Sequence, residues 1–197
     1  EKTIPVSPQA QKALGIVAAQ LTPTELISAI LKAPVDLLYN GGIGTYVKSS
    51  GESHADVGDR ANDALRVNGA DLRCKVVGEG GNLGFTQRGR VEAALAGVRL
   101  YTDAIDNSAG VDTSDHEVNI KILLGLAVDD GELTEKQRNT LLASMTGDVA
   151  ALVLRDNYFQ TQVLSVTGRI APELLDAQQR FIRFLEKEGR LHRAIEY

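Results

Sequence analysis

The chain has no tryptophan, one cysteine and one methionine among its 197 residues, and aromatic side chains make up only 5%. A lone cysteine, Cys74, excludes an internal disulfide and any thiolate cluster able to hold zinc or an iron–sulfur centre, so no metal site is expected. No apolar run approaches the roughly 20 residues needed to span a bilayer. The opening EKTIPVSPQAQ lacks the basic start and apolar core of a signal peptide, so a cytoplasmic location is expected and no membrane partner. A dense Lys/Arg block is also missing: 21 basic against 26 acidic side chains leave a net charge of -5, and no nucleic-acid partner is expected. With Met145 as the sole methionine and a charged helical stretch running up to Tyr197, the chain reads as a piece of a longer protein.

What is present, 43% hydrophobic and 24% charged residues, is ordinary globular composition. The stretch through Ile16, with Pro5 and Pro8, reads as a connector entering a short helix. Thr22, Pro23 and Glu25 supply an N-cap, a first-turn proline and a capping carboxylate for a helix that Pro34 ends. Three apolar runs then each lead into small polar residues: VDLLY into Asn40-Gly41-Gly42, KVV into GEGGNLG (78–84), and VRLYTDAI (98–105) into DNSAG (106–110). Helical patterns at 54–67 and 87–95 separate them, which predicts a parallel sheet with all three loops at its carboxyl edge, where such sheets bind ligands. Beyond Ser114 four helical stretches are expected: 116–128, one capped by Thr134 and Gln137, 148–166 and 171–189. The fold class is therefore α/β, a partial Rossmann-like parallel sheet with flanking helices, followed by an all-helical C-terminal region. The boundary is placed between 114 and 115.

The glycine loop at 78–84 invites a dinucleotide fingerprint, but GxGxxG starting at Gly78 would need glycine where Leu83 stands. The loop therefore reads as a later loop of a nucleotide-binding sheet, or as a turn serving packing alone. In the segment from Asp106 to Ser114, Thr113 and Ser114 are placed at a helix start, either as an N-cap or as a seat for a substrate carboxylate. The loop from Asn40 to Tyr46 could equally be a bare turn. Ser114-Asp115-His116 holds the letters of a catalytic triad, yet adjacent residues cannot converge as one. His54 and His192 are read as solvent-facing, His116 as structural, Cys74 as buried, and Glu79 as a loop-fixing acceptor. Phe159, Leu164, Phe181, Phe184 and Leu185, at helical spacing, are read as core in preference to an interface.

Three loops in this order on one sheet resemble the later half of the nucleotide-binding domain of glutamate dehydrogenases, above all the large NAD-specific bacterial class. VVGEGGNLGFTQRGR resembles that class's version of a loop that reads VEGANGPTT in shorter enzymes, and DNSAGVDTS resembles NAGGVxxS. APVDLLYNGGIGTYVKSSGESHADVGDRAND looks like the large class in particular. The resemblance implies NAD as cofactor, held at Asn40, Gly41, Gly42, Gly80, Gly81, Asn82 and Asn107. It implies L-glutamate and 2-oxoglutarate with ammonia as substrates, met by Asn107, Val111 and Ser114, and a homo-oligomeric parent. The catalytic lysine and aspartate of such enzymes belong to upstream segments, so no catalytic residue is assigned here and the piece alone is expected to be inactive. Another amino-acid dehydrogenase, a nucleotide-sensing or assembly module, and a helical scaffold are the alternatives. Ser114 argues against an apolar-side-chain substrate, whose pocket would leave its hydroxyl unsatisfied.

Overall fold

A computed structural model describes residues 2–196, with nothing on the side chain of Glu196. The chain divides into two compact units, up to Arg138 and from Asn139. In order, the elements are β1 (Ile4–Pro5), α1 (Pro8–Leu14), β2 (Gln20–Leu21), α2 (Pro23–Leu31), β3 (Leu37–Asn40), β4 (Val47–Lys48), α3 (His54–Val57), β5 (Val67–Asn68), β6 (Val76–Glu79), α4 (Gln87–Leu95), α5 (Asp103–Asp106), α6 (Ser108–Asp129), α7 (Glu135–Ser144), α8 (Thr146–Lys187) and α9 (Arg193–Glu196). This is an α/β arrangement with parallel strands, followed by helices.

The first unit is organised by short parallel pairings. β3 lies parallel to β6 with Leu37 opposite Val76 and Asn40 opposite Glu79, and a single parallel bridge joins Val76 to Arg99 on the other side. β4 pairs with β5 in parallel, and Val47 bridges Phe85. β1 and β2 form a small antiparallel pair. The core gathers Val47, Val67, Leu72, Cys74, Val77, Phe85, Ala93 and Val98. Helix α4 sits very close to this core because Gly89 faces the backbone of β4: a Cβ there would come 2.7 Å from the Lys48 carbonyl carbon. That close approach requires glycine and fixes α4, with its Arg90, behind the glycine loop.

Several local expectations hold. Thr22 and Glu25 cap α2 reciprocally, with the Glu25 amide donating to Thr22 Oγ1 and the Thr22 amide donating to Glu25 Oε2. Thr134 and Gln137 do the same before α7, and Cys74 is buried.

Others are corrected. The stretch 54–67 is not one helix: α3 stops at Gly58, which takes φ 73°, a 3-10 turn follows at 60–62, and Val67 enters β5. Arg66 explains the break, since its buried guanidinium donates to the carbonyls of Thr45 and Asp59 and to the Asp63 carboxylate. The run 98–105 is a strand only at the Arg99 bridge, because Thr102 already begins α5.

In the second unit α8 runs unbroken for 42 residues, about 63 Å at 1.5 Å per residue, where two helices were expected. Pro172 lies inside it, and the Gly168 carbonyl that it cannot serve belongs to an exposed stretch where water can. Phe159, Phe181 and Phe184 are more than half exposed and Leu164 is exposed as well, so these side chains are not core in this chain; only Leu185 is partly buried. Val149 and Val153 are the buried residues of α8. Among the described residues no helix is long and apolar enough to cross a membrane.

Candidate functional site: the loops at the carboxyl edge

β3 and β6 run side by side, so their loops leave the same end of the sheet. The amides of Gly80 and Gly81 both donate to the Asn40 carbonyl, at 2.8 and 3.0 Å, and the Gly42 amide donates to Asn40 Oδ1 at 3.2 Å. Gly81 lies against the other loop's main chain, where a Cβ would stand 2.3 Å from the Gly42 carbonyl oxygen. The loops 40–44 and 80–84 are thus packed backbone on backbone.

The third loop closes onto them. Asn107 Nδ2 donates to the Gly81 carbonyl at 2.9 Å and to Asn82 Oδ1 at 2.7 Å. This engages one end of each amide and leaves the other: Asn82 Nδ2 as donor and Asn107 Oδ1 as acceptor. Asn82 is exposed and Asn107 half-buried, so the pair faces solvent with one donor and one acceptor. A nicotinamide carboxamide or a ribose hydroxyl can pair with that combination of donor and acceptor.

Asn40, Gly41, Gly42, Gly80, Gly81, Asn82 and Asn107 are therefore brought together. Val111 and Ser114 lie further along α6, one and two turns past Asn107 on the same face, about 10 Å away at the farther one. Val111 is 67% exposed, and Ser114 is exposed. The expected helix start at Thr113 and Ser114 is corrected: α6 begins at Ser108, so the Ser114 amide is inside the helix and only its hydroxyl can meet a ligand. Thr113 turns its hydroxyl back onto its own helix, donating to the Ala109 carbonyl at 2.7 Å.

Behind the loops lies a charged cluster whose partners the sequence reading missed. Glu79 is fully buried and accepts from Arg90 Nη2 at 2.5 Å, while Asp103 stands 3.7 Å from the same nitrogen. Burial pushes the Glu79 carboxyl above its usual range; Arg90 pulls it down, and Asp103 and Asp106 push it further up. Glu79 is thus an acceptor, as expected, but with an arginine partner from α4. Asp106 accepts from the Glu79 amide at 2.9 Å and Asp103 from the Leu83 amide at 2.7 Å. The signal for both aspartates was their spacing in TDAID, which starts a helix instead of ending a strand. Glu79 Oε1 and Asn40 Nδ2 are buried without a hydrogen-bond partner among the described residues.

The family described as "Bacterial NAD-glutamate dehydrogenase, catalytic domain" matches residues 1–167. The chain belongs to that family. It is 60% identical over 196 residues to an NAD-specific glutamate dehydrogenase of Pseudomonas aeruginosa and 57% identical over 196 residues to one of Halomonas elongata. Identity to the NAD-specific glutamate dehydrogenase of Mycobacterium tuberculosis is 52% over 202 aligned positions. The whole chain is covered in each case, but it spans only 12% of each relative's length.

Proposed function

We propose that this chain is the rear part of the NAD-binding domain (1–114) and the adjoining helical region (115–197) of an NAD-dependent glutamate dehydrogenase. The parent oxidatively deaminates L-glutamate to 2-oxoglutarate and ammonia. The observation that carries this reading is the Asn82–Asn107 amide pair, one donor and one acceptor facing solvent at the carboxyl edge of a parallel sheet. NAD supplies hydride acceptance when bound. The chain's own residues hold its nicotinamide end: Asn82 and Asn107 through their uncommitted amide atoms, Asn40 by tying Gly42, Gly80 and Gly81 together, and Gly41, Gly42, Gly80 and Gly81 as the main-chain floor of the site. Ser114 offers its hydroxyl to the side-chain carboxylate of glutamate, with Val111 beside it. The lysine and aspartate that move protons belong to the rest of the parent, so the chain alone is inactive. The parent works in the cytoplasm as a homo-oligomer, with no nucleic-acid or membrane partner.

The test is glutamate-dependent NADH formation by the full-length parent, with NADP and leucine as controls and this chain alone beside it. Activity with glutamate and NAD in the parent only is expected. A folded parent inactive with glutamate, or equally active with leucine, overturns the reading.

A further inference from the structure

Leu83 is the one non-glycine residue among those described with a positive φ, 57°. Leucine rarely adopts that conformation, and where it persists the surroundings must impose it. Two groups do so here. The Asp103 carboxylate accepts from the Leu83 amide at 2.7 Å, and the Thr45 hydroxyl donates to the Leu83 carbonyl at 2.7 Å. Both ends of one residue are gripped, one from α5 and one from the loop after β3. Asp103 is held in turn, its side chain 17% exposed and 3.7 Å from Arg90, whose Nε donates to the Tyr101 carbonyl at 3.1 Å. Leu83 itself is 67% exposed, so packing of its side chain is not what imposes the turn.

We infer that Asp103 is a positioning residue for the cofactor: by clamping Leu83 in its left-handed turn it fixes the direction in which Asn82, one residue earlier, presents its amide. This rests on the proposed NAD role of Asn82. A neutral amide at 103 accepts more weakly than a carboxylate and loses the attraction to Arg90, so the turn relaxes and the Asn82 donor is no longer preset. Glycine at 83 takes positive φ without strain, so it removes the need for the clamp.

The experiment uses the full-length parent, with KM for NAD, KM for glutamate, kcat and melting temperature measured for Asp103→Asn, Asn82→Ala and the double variant Asp103→Asn with Leu83→Gly. Asp103→Asn is expected to raise KM for NAD about tenfold, the loss of one charge-assisted hydrogen bond, with KM for glutamate unchanged. The added Leu83→Gly is expected to bring KM for NAD back to within about threefold of the wild type, a rescue that a purely structural role for Asp103 would not give. If Asn82→Ala raises KM for NAD but Asp103→Asn does not, or the glycine fails to rescue, the positioning role is overturned. If Asn82→Ala leaves KM for NAD unchanged, the NAD reading of the loop fails first. Should Asp103→Asn not fold, Thr45→Val releases the other end of Leu83, and an unchanged KM for NAD in that variant likewise overturns the clamp.

Discussion

Replacing Arg90 with methionine keeps the length of the side chain and removes the one cation paired with Glu79 among the described residues. Glu79 is 0% exposed and the Arg90 side chain 10%, so solvent screens this pair very little. Breaking a buried pair from one side costs about 3–5 kcal/mol, because the remaining charge stays uncompensated. Taking the lower figure, about 3 kcal/mol corresponds to roughly a hundredfold rise in local opening. The loss depends on pH with a definite sign. Burial already raises the Glu79 carboxyl, and removing Arg90 takes away the main influence lowering it. A group raised in the folded state contributes its stability below its unfolded pKa and loses it as pH rises through the folded value. The variant should therefore be nearest to wild type at acid pH, where the raised Glu79 carboxyl is protonated, and furthest from it at alkaline pH, where the carboxylate is left uncompensated. Hydrogen–deuterium exchange of peptides covering 76–95 in the full-length parent, corrected for intrinsic rates, reads this directly. A second substitution, Glu79→Gln, should recover most of the protection. Exchange in Arg90→Met within about threefold of wild type, or elevated equally at acid and alkaline pH, would refute the reasoning.

Three further outcomes follow from other residues. Gly81→Ala should push the two loops apart, because the new methyl meets main chain 2.3 Å away; overpacking of about 1–3 kcal/mol and a raised KM for NAD are expected, and unchanged kinetics would count against the close packing. Burial tends to raise Glu92, but bonds from Ser49, Ala70 and Ser50 overcome this and hold it at about 2. Its contribution is therefore complete above the ordinary carboxylate range and lost as pH falls from about 4.5 toward 2, so Glu92→Gln should flatten the pH dependence of exchange at 49–50 and 70 over that window. Ser114→Ala in the parent should raise KM for glutamate and leave KM for NAD alone; an unchanged glutamate KM would remove Ser114 from the substrate site.

Much of the edge was legible in the sequence because turn and cap chemistry is local. Thr22, Pro23 and Glu25 declare a helix start through contacts within four residues, and the structure has that capping box. Apolar runs followed by Asn and Gly placed the ends of β3 and β6, though not their pairing register. What failed was decided by distant partners. The helical spacing of 54–67 loses to the bonds that draw Arg66 to Thr45 and Asp59. The small polar residues from Ser108 to Ser114 look like a loop, but they form the first two turns of α6. Arg90 and Asp103 were invisible as a cluster, since their meeting with Glu79 depends on how closely Gly89 lets α4 approach the sheet. The exposed phenylalanines of α8 follow a true helical period, but periodicity says which residues share a face and not what covers it.

The contact between Gly81 and Gly42 also bears on how this edge can be re-engineered. Where two main chains touch with no side chain between them, neither loop has slack to absorb a change in the other. Transplanting the 80–84 segment from a shorter enzyme into this background would bring a backbone path shaped for a different neighbour. The smallest exchangeable cassette is the pair, residues 40–46 together with 78–84, and a graft of either alone should fold less well than the graft of both.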